Sequence, residues 1–184
     1  PNAADPHYDP RDGGDAIAAG EVLLIDLWGK PTEGGVFADQ TWMGILSDRV
    51  PDRLQTIWEA VRGAREAGID FLRSCHDDGR AARGYEVDDV CRGFIVDRDF
   101  GEFFVHRTGH SMDIELHGSG PNLDNLETRD DRLLVRGVGF SVEPGIYIPG
   151  DVGVRSEINV HWGAGGPEVT PRERQDEILV LLGN

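Results

Sequence analysis

The segment from Val138 to Trp162 reads VGFSVEPGIYIPGDVGVRSEINVHW. Two β-rich apolar runs flank the turn-forming residues Pro149, Gly150 and Asp151, so the segment predicts an antiparallel hairpin. Glu143 and Glu157 are equally distant from Gly150. Opposed residues of a hairpin share a face, with Cβ atoms about 4.5–5.5 Å apart. Two carboxylates placed in this way repel each other unless a proton or a cation lies between them.

A second hairpin, nearer the N-terminus, is predicted to repeat this arrangement of acids. The apolar run Val22 to Trp28 contains Asp26 and predicts a buried strand, and Val36 to Trp42 is predicted as the returning strand after a turn-rich segment. If the turn is centred between positions 32 and 33, Asp26 lies directly opposite Asp39. Taken alone, Asp26 would be explained as well by a strand end that reaches water.

Three of the six histidines lie close together in the segment HRTGHSMDIELH, which runs from His106 to His117 and includes His110. Apolar and polar residues alternate after His110, so an extended strand could carry all three imidazoles toward one place. Each histidine alone is explained as a strand or turn residue with no shared role. Clustered histidines usually bind metal or transfer protons.

Two amphipathic helices are predicted between the hairpins. The first begins at Pro51 and Asp52 and runs to about Leu72, and the second covers Val87 to Ile95. Each has one apolar face, so both should pack against a sheet. From Gly101 onward the pattern predicts strands and turns, with a long loop from Gly118 to Asp131.

Composition restricts the function. The chain has 184 residues and a formal net charge of −16, which fits one globular domain and argues against nucleic acids or anionic membranes as partners. The two cysteines, Cys75 and Cys91, are too few for a disulfide scaffold or a thiolate zinc site. The sequence has no apolar run long enough for a membrane span, so we expect a cytoplasmic protein.

Two opposed acid pairs and a histidine cluster together predict a metal site. Four carboxylates and an imidazole suit hard or borderline divalent ions such as Mn, Co, Fe or Zn. The number of acids favours two ions that share bridging carboxylates.

The contexts of these residues resemble the pita-bread metallopeptidases, the family of creatinase, methionine aminopeptidase, Xaa-Pro aminopeptidase and prolidase. The matching contexts are Leu-Ile-Asp, Ala-Asp-Gln-Thr, Thr-Gly-His, Val-Glu-Pro-Gly-Ile-Tyr and Val-Arg-Ser-Glu. They place the five expected metal ligands, in order along the chain, at Asp26, Asp39, His110, Glu143 and Glu157.

The resemblance implies a role for each ligand. Asp26 would chelate one ion, His110 and Glu143 would bind the other, and Asp39 and Glu157 would bridge the two. Glu143 would also relay a proton from water. Two divalent ions are thus the expected cofactors, with manganese favoured over cobalt, zinc or iron.

The resemblance also implies catalytic groups that do not bind metal. His7, His106 and His117 match the family's histidines near the substrate, and His117 would hold the scissile carbonyl and its tetrahedral intermediate. Arg155, two residues before Glu157 and therefore on the same strand face, resembles the Xaa-Pro-cleaving branch. Where the family commonly has small, glycine-bearing residues after the ligand histidine, this chain has Ser111-Met112-Asp113, so its pocket should differ in shape.

We therefore expect an α+β pita-bread fold, a curved and mainly antiparallel sheet with the helices on its outer face. Residues 1–184 would form the C-terminal portion of the catalytic domain, without the N-terminal part of the fold or a separate N-terminal domain. The expected reaction is hydrolysis of the N-terminal Xaa-Pro bond of peptides or dipeptides. The alternatives are hydrolysis of another small amide or peptide and, outside enzymes, a pita-bread peptide-binding module. A homodimer is implied by the resemblance.

Overall fold

A computed structural model describes residues 2–8 and 16–182 of the chain, which form nine strands and two α-helices. The strands are β1 (Val22–Gly29), β2 (Ala38–Ile45), β3 (Ser111–Met112), β4 (Gly139–Val142), β5 (Gly145–Ile148), β6 (Val152–Arg155), β7 (Ile158–Gly163), β8 (Gly166–Thr170) and β9 (Leu179–Val180). The helices are α1 (Asp52–Asp77) and α2 (Gly84–Val96). The strands pair in the orders β1-β2-β9, β3-β4-β7-β8 and β5-β6, and only β2 and β9 run parallel.

The hairpin centred on Gly150 is confirmed. In the β4–β7 and β5–β6 ladders every pair of opposed residues is equally distant from Gly150. Gly150 has φ 72°, a left-handed conformation that glycine adopts at little cost. Between the two ladders the Ser156 amide donates to the Pro144 carbonyl at 3.3 Å, so the same register continues through the interruption. Glu143 and Glu157 lie at this interruption.

The predicted register of the first hairpin was wrong by two residues. Asp26 lies opposite Thr41, and Asp39 lies opposite Trp28. The returning strand also begins at Ala38 rather than Val36, because a loop without strand pairing joins β1 to β2 and moves the centre of the hairpin. Since a shift of two residues preserves the strand face, both acids still lie on the same side of the sheet.

The prediction that β1 is buried was also wrong. Strand β1 is an edge strand paired only with β2 among the described residues, and its second half is exposed, with Ile25 at 50% and Leu27 at 71%. The Asp26 side chain is therefore partly exposed to solvent. An acid in an apolar strand needs either water or hydrogen-bonding partners to offset the loss of hydration.

Helix α1 packs against β5, β6 and β8, on the side away from the acids, whereas α2 packs mainly against α1 rather than directly against a sheet as predicted. Helix α1 is longer than predicted, because its apolar face continues to the buried Cys75. Gly68 of α1 leaves room for Cys91 of α2 and for Val142 of β4, since a Cβ there would lie 2.7 Å from the Cys91 sulfur. Alternation along the strands separates Val142 and Val154, which enter this core, from Glu143 and Arg155, which face the other way.

The extended strand predicted between His110 and His117 was wrong. Only Ser111 and Met112 pair as a strand, and Gly101–Phe103 is a 3-10 turn. The Asp113 carboxylate accepts hydrogen bonds from the amides of Glu115 and Ser119, which reverses the chain. Asp side chains commonly compete with strand pairing in this way. The turn brings His117 back beside His110, with ring centroids 4.4 Å apart.

The remaining expectations concern the ends of the chain, the cysteines and the membrane. The irregular segment expected from Pro1 to Gly20 falls partly outside the described residues. Cys75 and Cys91 are free and buried. Neither α1 nor α2, the helices that the described ranges contain, is apolar enough over a sufficient length to cross a bilayer.

Candidate metal centre

Three predicted ligands converge on one point. Asp39, His110 and Glu157 each present a ligand atom, these atoms lie within 4.8 Å of one another, and all three side chains are buried. The residues come from β2, from the segment before β3 and from the gap between β6 and β7. Segments far apart in the sequence therefore form a single cluster.

Glu143 lies beside the cluster, and Ser141 fixes it there. The His110 Nε2 atom is 3.4 Å from Glu143 Oε1 and 3.5 Å from Asp39 Oδ2. The Ser141 hydroxyl donates to Glu143 Oε1 at 3.0 Å and accepts from the His110 amide at 2.9 Å. The strand β4 thus sets the position of both predicted ligands.

Asp26 contacts the cluster through Arg155. The Arg155 guanidinium donates to the Asp26 carboxylate, and its Nε donates to the Thr41 hydroxyl at 2.8 Å. Thr41 in turn donates to Glu157 Oε2 at 2.8 Å. Arg155 Nη1 is also 4.0 Å from Glu143 Oε2. The arginine therefore balances part of the negative charge of the acids.

Burial favours the protonated forms of Glu157, Glu143 and Asp26. Burial raises the pKa of Glu157 well above its usual value, and the charges of Glu143 and Asp39 raise it further. Burial likewise raises the pKa of Glu143 and that of Asp26, although Arg155 opposes both shifts. A cation at the centre would replace those protons.

The pKa of His110 is raised, whereas burial alone lowers the pKa of a histidine. Burial alone would lower it, but the hydrogen bond to Asp39 and the charge of Glu143 outweigh burial and raise it. In the metal-free protein the raised pKa therefore favours the positively charged form of His110.

His106 is locked in place and uncharged. Its Nε2 shares a 2.9 Å hydrogen bond with the Tyr147 hydroxyl, and its Nδ1 contacts the Arg107 carbonyl at 2.7 Å. Burial lowers the pKa of His106 to about 3. The imidazole is thus neutral at physiological pH, and both of its nitrogens have partners.

His117 and His7 lie in different surroundings. Burial and the charge of His110 lower the pKa of His117, whose ring lies edge-on to that of His110. His7 is exposed and is not part of the cavity wall at the centre, but its charge contributes to the lowered pKa of His106. The structure therefore brings together all the predicted site residues except His7, which lies at the periphery.

A cavity of about 330 Å³ opens onto the cluster. Its wall contains most of the predicted site residues and also several that the sequence did not single out, namely Trp28, Arg107, Leu116 and Glu127. A space of this size is at the lower end of small-molecule sites. It suits a short segment of substrate.

The donor set fits divalent metal. Asp39 Oδ1 and Glu157 Oε1 are buried and have no hydrogen-bond partner among residues 2–8 and 16–182. Buried carboxylate oxygens are rarely left unpaired, because each loses its hydration. Carboxylate oxygens and an imidazole nitrogen are ligands for hard or borderline ions, and a cation between these atoms would satisfy both.

Comparison with known proteins agrees with this chemistry. The sequence profile of metallopeptidase family M24 matches residues 1–162. The chain belongs to metallopeptidase family M24. This membership implies divalent metal ions as the cofactor, and it confirms the resemblance to the pita-bread peptidases.

Several relatives of this M24 chain are named as dipeptidases. The Xaa-Pro dipeptidase of Lactobacillus delbrueckii subsp. lactis is 36% identical over 156 residues, which cover 85% of this chain and 38% of that protein. The crystal structure of dipeptidase PepE from Mycobacterium ulcerans matches 97% of this chain and 44% of its own, with a TM-score of 0.82 and 31% identity.

The Xaa-Pro dipeptidase from Bacillus anthracis also superposes with a TM-score of 0.82 at 30% identity, over 97% of this chain and 46% of its own. These matches confirm the α+β pita-bread fold. The chain spans less than half the length of the relatives that it matches.

The residues that support the ligands were missed in the sequence, although period-two alternation could have found three of them. Thr41 follows Asp39 by two residues, Asn159 follows Glu157 by two, and Ser141 precedes Glu143 by two. Each pair therefore shares a strand face. Asn159 accepts a hydrogen bond from the Asp39 amide at 3.0 Å, which joins β2 to β7 beside the cluster.

Proposed function

We propose that this chain carries the catalytic centre of a dinuclear-metal peptidase that hydrolyses the N-terminal Xaa-Pro bond of peptides or dipeptides. The observation that carries the proposal is the convergence of Asp39, His110 and Glu157, with two buried carboxylate oxygens that lack partners in the described residues. Relatives named Xaa-Pro dipeptidase support the choice of substrate.

In this proposal each acid has a separate place. Asp26 would hold one ion, His110 and Glu143 would hold the other, and Asp39 and Glu157 would be shared by both. The support for a shared role is that ligand atoms of Asp39 and Glu157 lie within 4.8 Å of each other and of a ligand atom of His110. Arg155 holds Asp26 and keeps its carboxylate oriented in the absence of an ion.

Divalent ions held there would supply a Lewis acid for the scissile carbonyl and hydroxide at neutral pH. The protein residues perform the remaining work. Glu143, whose pKa burial raises, takes a proton from the attacking water and returns it to the leaving nitrogen. His117, whose pKa is lowered, is neutral and donates an N–H hydrogen bond to the developing oxyanion.

His106, His7 and Arg155 complete the proposed substrate-facing groups. His106, fixed by Tyr147, offers a rigid wall beside the scissile bond. His7, exposed on the N-terminal segment, is proposed to contact substrate at the periphery of the site. Arg155, on the face of Glu157, is proposed to favour Xaa-Pro substrates over other N-terminal residues.

Several finer statements belong to the same proposal. Manganese is the proposed metal, because four carboxylates around one imidazole favour a hard to borderline ion. The chain is proposed to be the C-terminal portion of a catalytic domain, to act as a homodimer and to work in the cytoplasm. Metal analysis, sedimentation and cell fractionation of the full-length protein test these points.

A substrate panel tests the function. With manganese present, Leu-Pro and Leu-Pro-Gly should be cleaved and Met-Ala-Ser should not, and Arg155→Lys should slow the cleavage of both proline peptides. Cleavage of Met-Ala-Ser alone would favour hydrolysis of another small peptide. Metal uptake without cleavage of any peptide would favour a binding module.

A further inference from the structure

Two oppositely charged residues of the cavity wall lie outside the metal centre. Arg107 is half-buried, Glu127 is exposed, and both line the cavity onto which the cluster opens. The side chains of Arg107 and Glu127 form no hydrogen bond or ion pair with any other residue that the structure describes. By contrast, Arg92 is paired with Asp88 at 3.1 Å.

A buried carboxylate joins the two segments that carry these charges. Asp88 of α2 is fully buried. Its Oδ1 accepts hydrogen bonds from the amide and the hydroxyl of Thr108, at 2.9 and 2.7 Å, directly after Arg107. Its Oδ2 accepts from the Asn125 amide at 3.1 Å, two residues before Glu127. Asp88 and the antiparallel bridge between Gly109 and Leu123 therefore hold the two backbones together.

The loop that carries Glu127 is further ordered by Asp124. This buried carboxylate accepts hydrogen bonds from the amides of Leu126, Glu127 and Thr128, at 2.9, 3.0 and 3.1 Å. The backbone of Glu127 is thus held in a compact turn beneath an exposed side chain.

Most other charges of the described wall belong to the proposed metal centre. Arg155 pairs with Asp26, and His110 lies within 3.5 Å of Asp39 and Glu143. Outside the metal centre, the described residues of the wall offer a bound molecule one cation and one anion without partners, Arg107 and Glu127. A short peptide carries the complementary charges, a carboxylate and an ammonium group.

We propose that Arg107 and Glu127 determine specificity in the proposed peptidase, with Arg107 binding the C-terminal carboxylate of a short peptide and Glu127 its N-terminal ammonium. This inference rests on the proposed function. The planar guanidinium of Arg107 matches a carboxylate through paired hydrogen bonds. Glu127 accepts hydrogen bonds from an ammonium group, so both contacts are assisted by charge.

The test removes each charge from the protein and, separately, from the peptide. Arg107→Gln and Glu127→Gln are compared with wild type on Leu-Pro, Leu-Pro-amide and N-acetyl-Leu-Pro, all with manganese. The wild-type preference in kcat/KM for Leu-Pro over Leu-Pro-amide should fall about tenfold in Arg107→Gln, and the preference over N-acetyl-Leu-Pro should fall about tenfold in Glu127→Gln. The two crossed combinations should change less than about twofold.

Matched controls are Arg129→Gln, on the same loop, and Glu102→Gln, on the exposed 3-10 turn. Both should retain the wild-type preferences. Equal losses on all three peptides in Arg107→Gln, or unchanged ratios in both variants, would overturn the inference.

Failure of the proposed function gives a different result. If wild type cleaves none of the peptides, the same proteins are titrated calorimetrically with intact Leu-Pro and its two blocked forms. A binding preference for the free carboxylate that Arg107→Gln removes, together with one for the free ammonium that Glu127→Gln removes, supports the pair. Absence of either preference overturns it.

Discussion

Replacing Glu157 by glutamine should change metal-free stability and metal affinity in opposite directions. Glu157 and Asp39 present oxygen atoms within 4.8 Å of each other, so two charges there repel by roughly 3–4 kcal/mol at an effective dielectric constant of about 20. Glu157 escapes part of this by holding a proton, since burial and its acidic neighbours raise its pKa. We expect Glu157→Gln to raise the free energy of unfolding of metal-free protein by about 1–3 kcal/mol.

The same substitution should weaken metal binding. Glutamine keeps an oxygen that can accept from the Thr41 hydroxyl, which donates to Glu157 Oε2 at 2.8 Å, but it removes the charge of the proposed bridging ligand. Affinity for manganese should fall at least about 100-fold. Mutating a residue that only orients a metal ligand lowers metal affinity by up to about 100-fold, and loss of a ligand's charge should cost no less.

Urea denaturation in EDTA measures the first effect, and calorimetric titration with manganese measures the second. Glu33→Gln, an exposed acid in the β1–β2 loop, is the matched control and should change neither quantity. The reasoning is refuted if metal-free Glu157→Gln is less stable than wild type, or if it binds manganese as tightly.

Three further predictions concern the supports of the centre. Thr41→Val removes the partner of Glu157 and of Arg155 Nε, so urea denaturation of metal-free protein should show a loss of about 1–3 kcal/mol, most of which Thr41→Ser should restore. Gly109→Ala would place a Cβ 2.1 Å from the Ser141 carbonyl oxygen and should cost about 3 kcal/mol, whereas Gly93→Ala, in open space on α2, should raise the free energy of unfolding by about 0.5–1 kcal/mol; equal effects would contradict the geometry. Because the pKa of Glu157 is raised in the folded protein, the folded state keeps a proton that the unfolded chain releases near about pH 4.3. The unfolding free energy of metal-free wild type should therefore fall, relative to that of Glu157→Gln, as pH rises through the folded pKa. A constant difference across a pH series of urea titrations would argue against this.

The hairpin around Gly150 could be predicted because its turn is local. Three residues join β5 to β6, Gly150 takes the left-handed conformation that the turn requires, and register then follows from position alone. The β1–β2 register could not be fixed in this way, because the connecting loop has no unique centre in the sequence. Alternation still placed Asp26 and Asp39 on one face.

The strand predicted after His110 does not continue beyond Met112, for a different reason. Residues 113–117 alternate like a strand, but the Asp113 carboxylate binds two local amides and the chain turns back. A short-range side-chain hydrogen bond outweighed the periodic pattern. The outcome, His117 beside His110, was nevertheless the expected proximity.

The cavity wall shows what sequence patterns cannot supply. Thr41, Asn159 and Ser141 follow from alternation around known acids, whereas Glu127 lies in a loop without periodicity. Its place on the wall depends on the long-range bond between Asp88 and Asn125. Such contacts depend on the three-dimensional arrangement of α2, the His106–Thr108 segment and the loop that carries Glu127, which no local sequence pattern predicts.

The most direct test of the central claim is the number of divalent ions that the chain binds. Protein freed of metal and dialysed against manganese should retain two ions per chain by elemental analysis, and Asp39→Asn, which removes a proposed bridging charge, should retain fewer. Wild-type protein that retains no divalent ion under these conditions would contradict the account.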